Sequence, residues 1–151
     1  RKQGVILTVS SVGGLRTGIF SPTYHAGKYA IEGFNEALSY ELAPFHILCK
    51  VIEPGRIASD FWGRSAQVVG GVEGSAYEHW LTNYLNKVRT VTGRDSTPEF
   101  VAEVAYQAAT DGKNQWRYVA GPDAEASLKQ RAAMTDAEWM KNVAERYPYI
   151  P

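Results

Sequence analysis

The sequence predicts an α/β protein: a parallel sheet with helices on both faces, about three strands of it lying within these 151 residues. Three observations carry that expectation. Residues 5–9 and the core of "HILCKVIEPG" at 46–55 are short, nearly continuous apolar runs, the pattern of strands buried on both faces of a parallel sheet. Between them, residues 24–43 repeat apolar side chains at helical spacing. Along the whole chain the order reads strand, helix, strand, helix, helix, strand, and such alternation calls for parallel pairing through crossover helices.

Each element has its own justification. The first strand enters from "RKQGVILTVSS". The helix over 24–43 presents Ala30, Phe34, Ala37, Leu38 and Leu42 on its predicted inner face, and Pro44 ends it. Pro54 and Gly55 stop the second strand. Residues 72–91 carry Tyr77, Trp80, Leu81, Tyr84, Leu85 and Val88 as an amphipathic helix. A further helix starts at "STPEF", with Ser96 or Thr97 as N-cap and Pro98 in the first turn, and ends at "DGKNQ". "WRYVAG" makes the last short strand, and "TDAE" at 135–138 has capping-box form ahead of a C-terminal helix. No repeat, low-complexity segment or flexible linker interrupts this order, so a single domain is expected.

Composition narrows the chemistry. At 44% hydrophobic and 21% charged the chain is rich enough in apolar residues to form a core. Sixteen basic residues balance sixteen acidic ones with no basic run, so no nucleic-acid partner is expected. Cys49, the single cysteine, sits in the apolar run "ILCKVI" and reads as a buried, inert thiol, which points to a reducing compartment. There is no run of eighteen apolar residues and no charged-then-apolar leader, so no membrane span or signal peptide is expected and the expected location is the cytoplasm. His46 and His79 have no partner at ligand spacing, and no metal is expected.

The segment "SSVGGLRTGIFSPTYHAGK" at 10–28 concentrates reactive groups. On a helix, positions four apart share a face, so Tyr24 and Lys28 project into one volume. A free phenol is almost wholly protonated at neutral pH, and a nearby ammonium, or a cationic cofactor ring, favours its ionised form. The product is a phenol that gives or takes a proton, as carbonyl reduction and alcohol oxidation require at oxygen. Ser10 and Ser11 end the first strand, where open α/β sheets bind ligands, and one of their hydroxyls is placed to hold the reacting oxygen. The Tyr-x-x-x-Lys spacing alone says little, because a chain with nine tyrosines meets it by chance about one time in three. The serine thirteen residues before Tyr24 and "PGRIAS" thirty residues after it, both at strand ends, make the signal specific. No G-x-G-x-x-G and no G-x-x-x-x-G-K-[ST] occurs, and "GGVEG" at 70–74 has the wrong spacing, so the phosphate loop of a nucleotide-binding sheet is not among these residues.

"VSSVGG", "YHAGKYAIEGFNEALSYEL" and "VIEPGRIASDF" resemble the second half of a short-chain dehydrogenase/reductase of the Tyr-x-x-x-Lys type, from about residue 4 to residue 61. The resemblance implies the C-terminal part of a single Rossmann-like, doubly wound domain over 1–151, without the cofactor-binding N-terminal half. It implies an NAD(P)-dependent alcohol/carbonyl oxidoreductase, with NADP taken ahead of NAD. In that family Tyr24 would be the general acid/base, Ser11 would orient the substrate oxygen, and Lys28 would act on the phenol and hold the nicotinamide ribose. Pro54, Gly55, Ile57 and Ser59 match the segment that closes over the nicotinamide, with the Ile57 backbone at the carboxamide and Ser59 near a phosphate. Threonine is commoner than serine at that last position. Phe61, Trp62, Tyr77 and Trp80 fall where the family places its substrate lid, which implies an apolar small-molecule substrate. The helix over 24–43, with Ala26, Gly27, Ala30 and Gly33, is the element through which members associate, so a homo-oligomer, dimer or tetramer, is expected; His25 is placed at the surface or at that contact. Two other readings remain at this stage: an epimerase or lyase of the extended branch, and a non-catalytic fragment that serves as a packing partner.

Overall fold

A computed structural model gives the fold and describes residues 3–61, 72–90 and 96–149. Three strands, β1 (Gly4–Val9), β2 (Ile47–Pro54) and β3 (Arg117–Ala120), form one parallel sheet in the order β1-β2-β3. The register places Val9 beside Ile52, and Pro54 beside Ala120, so the C-terminal ends of all three strands lie on one edge. α1 (Pro22–Leu42) is the crossover from β1 to β2, and α2 (Glu78–Thr90) and α3 (Pro98–Thr110) precede β3. α4 (Pro122–Ala132) and α5 (Asp136–Arg146) follow. This is the α/β, Rossmann-like arrangement that the sequence predicts. No helix among the described residues is long and apolar enough to cross a membrane.

One face of the sheet is an apolar layer. Val101, Val104, Ala105 and Ala108 recur at helical spacing on α3 and pack against Leu7, Ile52, Tyr118 and Ala120 of the strands. Ile52 is fully buried and contributes about 2 kcal/mol of transfer free energy. Lys50 emerges on this face and is 1% exposed. It is tolerated because its Nζ donates to Ala108 O at 2.7 Å, Asp111 Oδ1 at 2.7 Å and Tyr118 Oη at 3.1 Å, which uses all three of its protons. Lys50, with the Tyr118 hydroxyl, holds the Asp111 carboxyl well below the usual carboxylate range.

The opposite face, under α1, is polar where the helical pattern predicts an apolar seam. Ala30, Phe34 and Ala37 face outward, Phe34 being 64% exposed, while Glu32 and Asn35 are buried and Leu38 and Leu42 half-buried. The sheet supplies the reason. Thr8 Oγ1 donates to Asn35 Oδ1 at 2.8 Å, and Arg117 on β3 binds Glu32 Oε2 at 2.8 Å and also Glu53 Oε1 on β2. Burial pushes the Glu53 carboxyl upward, and Arg117 pulls it back. Removing one partner of a buried ion pair costs about 3–5 kcal/mol, so Arg117 fastens α1 to the middle of the sheet.

β1 departs from expectation in a second way. Its side chains were expected to be buried on both faces, yet Val5, Ile6 and Val9 are 38% to 54% exposed, because among the described residues β1 pairs with β2 alone. Only β2 meets the pattern, being buried from Cys49 to Pro54. Burial pushes the Cys49 thiol up, as an inert thiol requires. α2 begins at Glu78, later than the periodicity implies, after turns over 72–77. At the start of α3 the cap is Thr97, whose Oγ1 accepts from Phe100 N at 3.1 Å, and Thr135 and Glu138 form the capping box of α5.

Candidate active site

The site is built where β1 ends. Ser10 N continues the ladder to Ile52 O at 2.8 Å, and the chain then turns at Ser11, whose extended backbone starts a single 3₁₀ turn over Val12–Gly14. The two serines part company there. Ser10 Oγ lies under α1 and is buried, beside Gly14. Ser11 Oγ accepts from Gly13 N at 3.0 Å, which caps the turn, and donates to Pro54 O at 3.4 Å. The Ser11 hydroxyl therefore stands between the ends of β1 and β2.

Gly13 is the hinge of the arrangement. A Cβ at that position would stand 2.8 Å from Tyr24 Cε1, 3.3 Å from His25 Nδ1 and 3.4 Å from Ser11 Oγ, so the serine and the tyrosine ring converge on one backbone atom that must carry no side chain. Gly14 does the same for the next turn of α1, where a Cβ would meet Glu32 Cγ at 2.8 Å and Lys28 O at 2.9 Å. Two adjacent glycines thus let α1 lie against the end of β1 with Tyr24 over one and Lys28 over the other. Tyr24 remains 40% exposed.

Lys28 projects from the same face of α1, with Nζ 6.0 Å from the Tyr24 ring centroid and 3.3 Å from Val9 O, to which it donates. Partial burial lowers the Lys28 pKa, and Glu32, one turn further on, opposes that shift. Ser11, Tyr24 and Lys28 are therefore brought to one edge of the sheet, although in the free chain the ammonium rests on a backbone carbonyl.

His25, expected at the surface or at a subunit contact, has an internal task. Its Nδ1 donates to Gly13 O at 2.8 Å and its Nε2 accepts from Gly18 N at 3.0 Å, so one ring pins both ends of the loop between the serine turn and α1. The ring is half-buried. Arg16, in the loop that follows the serine turn, is a second residue that the motif does not reveal. Burial lowers its pKa, with Arg146 adding to the effect, while Tyr147, Asp123 and Tyr24 oppose it.

The segment after β2 is held tightly. Gly55 N donates to Ala120 O at 3.1 Å, and Arg56 N donates to Asp123 Oδ2 at 2.8 Å. Ile57 bridges Ser96 in parallel fashion, through Ser96 N to Arg56 O and Ala58 N to Ser96 O, both 2.9 Å. In such a bridge the flanking peptide groups make the bonds, so the N–H of Ile57 itself points to the other side. Pro54 ends β2, and Ser59 is exposed.

Of the residues assigned to a lid, Tyr77 and Trp80 gather around Phe20, at ring distances of 6.4 and 4.8 Å, and Tyr84 joins them at 5.3 Å from Phe20. Phe20 has φ of 60°, a left-handed conformation that costs a bulky residue about 1–3 kcal/mol and aims its ring at this group. The C-terminal segment backs the wall: Trp80 Nε1 donates to Tyr147 O at 3.1 Å. Phe61 is 43% exposed, and Trp62 lies outside the described residues. No cluster of three metal-ligating side chains occurs among the described residues.

With this geometry in view, comparison with known proteins defines the class. A family model described as short chain dehydrogenase matches residues 1–69. An uncharacterised oxidoreductase of Schizosaccharomyces pombe is 34% identical over 143 residues, which cover 91% of this chain and 57% of that protein. A short-chain dehydrogenase structure from Streptomyces avermitilis superposes with a TM-score of 0.73 at 27% identity, covering 97% of this chain and 51% of the other. Two more distant structures share the fold: a Burkholderia cenocepacia short chain dehydrogenase in complex with NADP (TM-score 0.64, 17% identity, 99% of this chain and 48% of the other) and a Burkholderia phymatum one in complex with NAD (TM-score 0.64, 18% identity, 91% and 49%). The chain belongs to the short-chain dehydrogenase family, and it spans about half the length of the curated relatives it matches.

Proposed function

We propose that these residues form the proton-transfer and nicotinamide-facing part of an NAD(P)-dependent oxidoreductase that interconverts an alcohol and a ketone or aldehyde. The observation that carries this reading is the convergence of Ser11 Oγ and the Tyr24 ring on Gly13, with Lys28 one turn along the same helix face. Tyr24 holds the transferable proton at its phenol oxygen, and its exposed side leaves room for the substrate oxygen beside it. Ser11 donates to that oxygen; its present bond to Pro54 O, at 3.4 Å, is long enough to be exchanged for a better acceptor. Lys28 keeps its charge close to the phenol while two of its protons remain for other acceptors.

A nicotinamide, when bound, supplies or accepts the hydride. The residues present fit that group: Ile57 offers an N–H on the side away from Ser96, Ser59 presents an exposed hydroxyl, and Gly55 makes room for the Asp123 carboxylate that backs the segment between them. Pro54 fixes where the strand gives way to that segment. The neighbours that hold NADP and NAD support a nicotinamide without choosing between the two forms. The aromatic wall of Phe20, Tyr77, Trp80 and Tyr84 supports an apolar substrate. The outward stripe of α1 supports association through that helix, since a Cβ at Gly27 or Gly33 would meet nothing within 4 Å. A cytoplasmic location accords with the buried lone Cys49.

The test is an assay of the whole protein with NADPH and NADH against a panel of apolar ketones, aldehydes and their alcohols. Turnover of at least one pair with one cofactor is expected. A protein that binds neither cofactor and turns over no member of the panel is not this enzyme.

A further inference from the structure

We infer that Asp123 is a positioning residue for cofactor binding, acting through the backbone of Gly55–Ile57; this rests on the function proposed above. Asp123 lies at the second position of α4, just after β3, and no reactive motif includes it. Its carboxylate is packed onto Gly55: a Cβ there would lie 2.3 Å from Oδ2 and 2.5 Å from Oδ1, an overlap that no side chain survives. From that place Oδ2 accepts the Arg56 N–H at 2.8 Å. Oδ1 is buried without a hydrogen-bond partner among the described residues.

A carboxylate that leaves one oxygen buried and unpaired contributes little net stability. What it does is fix a peptide plane. With Gly55 N tied to Ala120 O and Arg56 O tied to Ser96 N, the bond from Arg56 N to Asp123 constrains the remaining polar group of that residue's backbone. Three parts of the chain, β3, Ser96 ahead of α3 and the start of α4, then converge on two residues, and the next N–H in the chain is that of Ile57. The Ile57 N–H shares its peptide plane with Arg56 O, which Ser96 holds, and Asp123 holds the plane before it, so Asp123 helps to aim the Ile57 N–H without touching what it binds. Gly121, with φ of 121°, makes the approach possible, since a Cβ there would stand 2.8 Å from Oδ1.

Two variants and two readouts test this in the whole protein. Asp123→Ala removes the acceptor, whereas Asp123→Asn keeps an oxygen in the same place. In Asp123→Ala, amide hydrogen exchange at Arg56, measured by NMR without cofactor, is expected to accelerate at least tenfold, and the dissociation constant for NADPH or NADH to rise about tenfold with kcat changed less than threefold. Asp123→Asn is expected to stay within about threefold of the wild type in both. Gly55→Ala, which presses a methyl into the carboxylate, is expected to accelerate the same amide and keeps the question open to experiment if Asp123→Ala does not fold. Unchanged exchange at Arg56 overturns the inference, and so does faster exchange with unaltered cofactor affinity. If the wild type binds neither cofactor, the functional reading falls and the cofactor half of the inference with it, while the exchange readout still decides whether Asp123 holds the segment.

Discussion

Tyr24→Phe is expected to lower turnover by at least a hundredfold while cofactor affinity stays within about threefold of the wild type, since positioned acid/base groups contribute about 10² to 10⁴ in rate. The split follows from placement. Phenylalanine keeps the ring that lies over Gly13, so the turn over Val12–Gly14 and the packing of α1 against it survive. Only the hydroxyl is lost, and with it the proton that has to reach or leave the substrate oxygen. Steady-state rates combined with a fluorescence titration of NADPH or NADH separate the two quantities. Turnover near the wild-type rate would remove Tyr24 from the chemistry, and a matching loss of cofactor affinity would make it a binding residue instead.

Gly13→Ala is expected to lower turnover by about a hundredfold from a position that touches neither substrate nor proton. The new Cβ would stand 2.8 Å from Tyr24 Cε1, well inside van der Waals contact, and the atom it meets belongs to a rigid ring rather than to the loose end of a flexible chain. Tyr24 has to shift, and a displacement of about 1 Å at a reacting group costs about 10² in rate. The neighbouring contacts, 3.3 Å to His25 Nδ1 and 3.4 Å to Ser11 Oγ, add pressure on the residues that shape the same turn. Thermal unfolding and turnover measured on the same variant discriminate: activity lost with a largely retained melting temperature fits displacement of Tyr24. Retained activity would show that the serine and tyrosine need not converge on Gly13.

The strands, their parallel order and the gathering of Ser11, Tyr24 and Lys28 at one edge of the sheet were legible because short apolar runs, proline stops and a four-residue helical spacing are local properties of the chain. The inner face of α1 was not. Ala30, Phe34 and Ala37 form as good an apolar stripe as a buried helix would show, but Thr8, Glu53 and Arg117 on the sheet offer hydrogen bonds and charge, and these select Glu32 and Asn35 for the interior. That choice depends on hydrogen bonds to residues 27 and 85 positions away, which no local pattern contains. The same holds for Asp123, whose partner Arg56 is 67 residues earlier. His25 could be read only from its neighbour's motif, and adjacency on a helix places it about 100° from Tyr24, away from the chemistry. Its two hydrogen bonds, to Gly13 O and from Gly18 N, become visible once the loop is folded back over the helix. A signal was nonetheless present for Phe20: an aromatic residue four positions before Tyr24, in the loop that leads from the serine turn into α1.

Ser11, Tyr24 and Lys28 are claimed to act as one proton-transfer unit, and the most direct test of that claim is a double-mutant cycle in single-turnover hydride transfer. The rate is followed by stopped flow at saturating cofactor for the wild type, Ser11→Ala, Tyr24→Phe and the double variant. Groups that serve one step as a unit are strongly non-additive: once one is lost, removing the other costs little more. The expected result is therefore a double variant within about threefold of Tyr24→Phe alone. Losses that multiply, so that the double variant falls by the product of the two single effects, would contradict the claim and separate Ser11 from the step that Tyr24 serves.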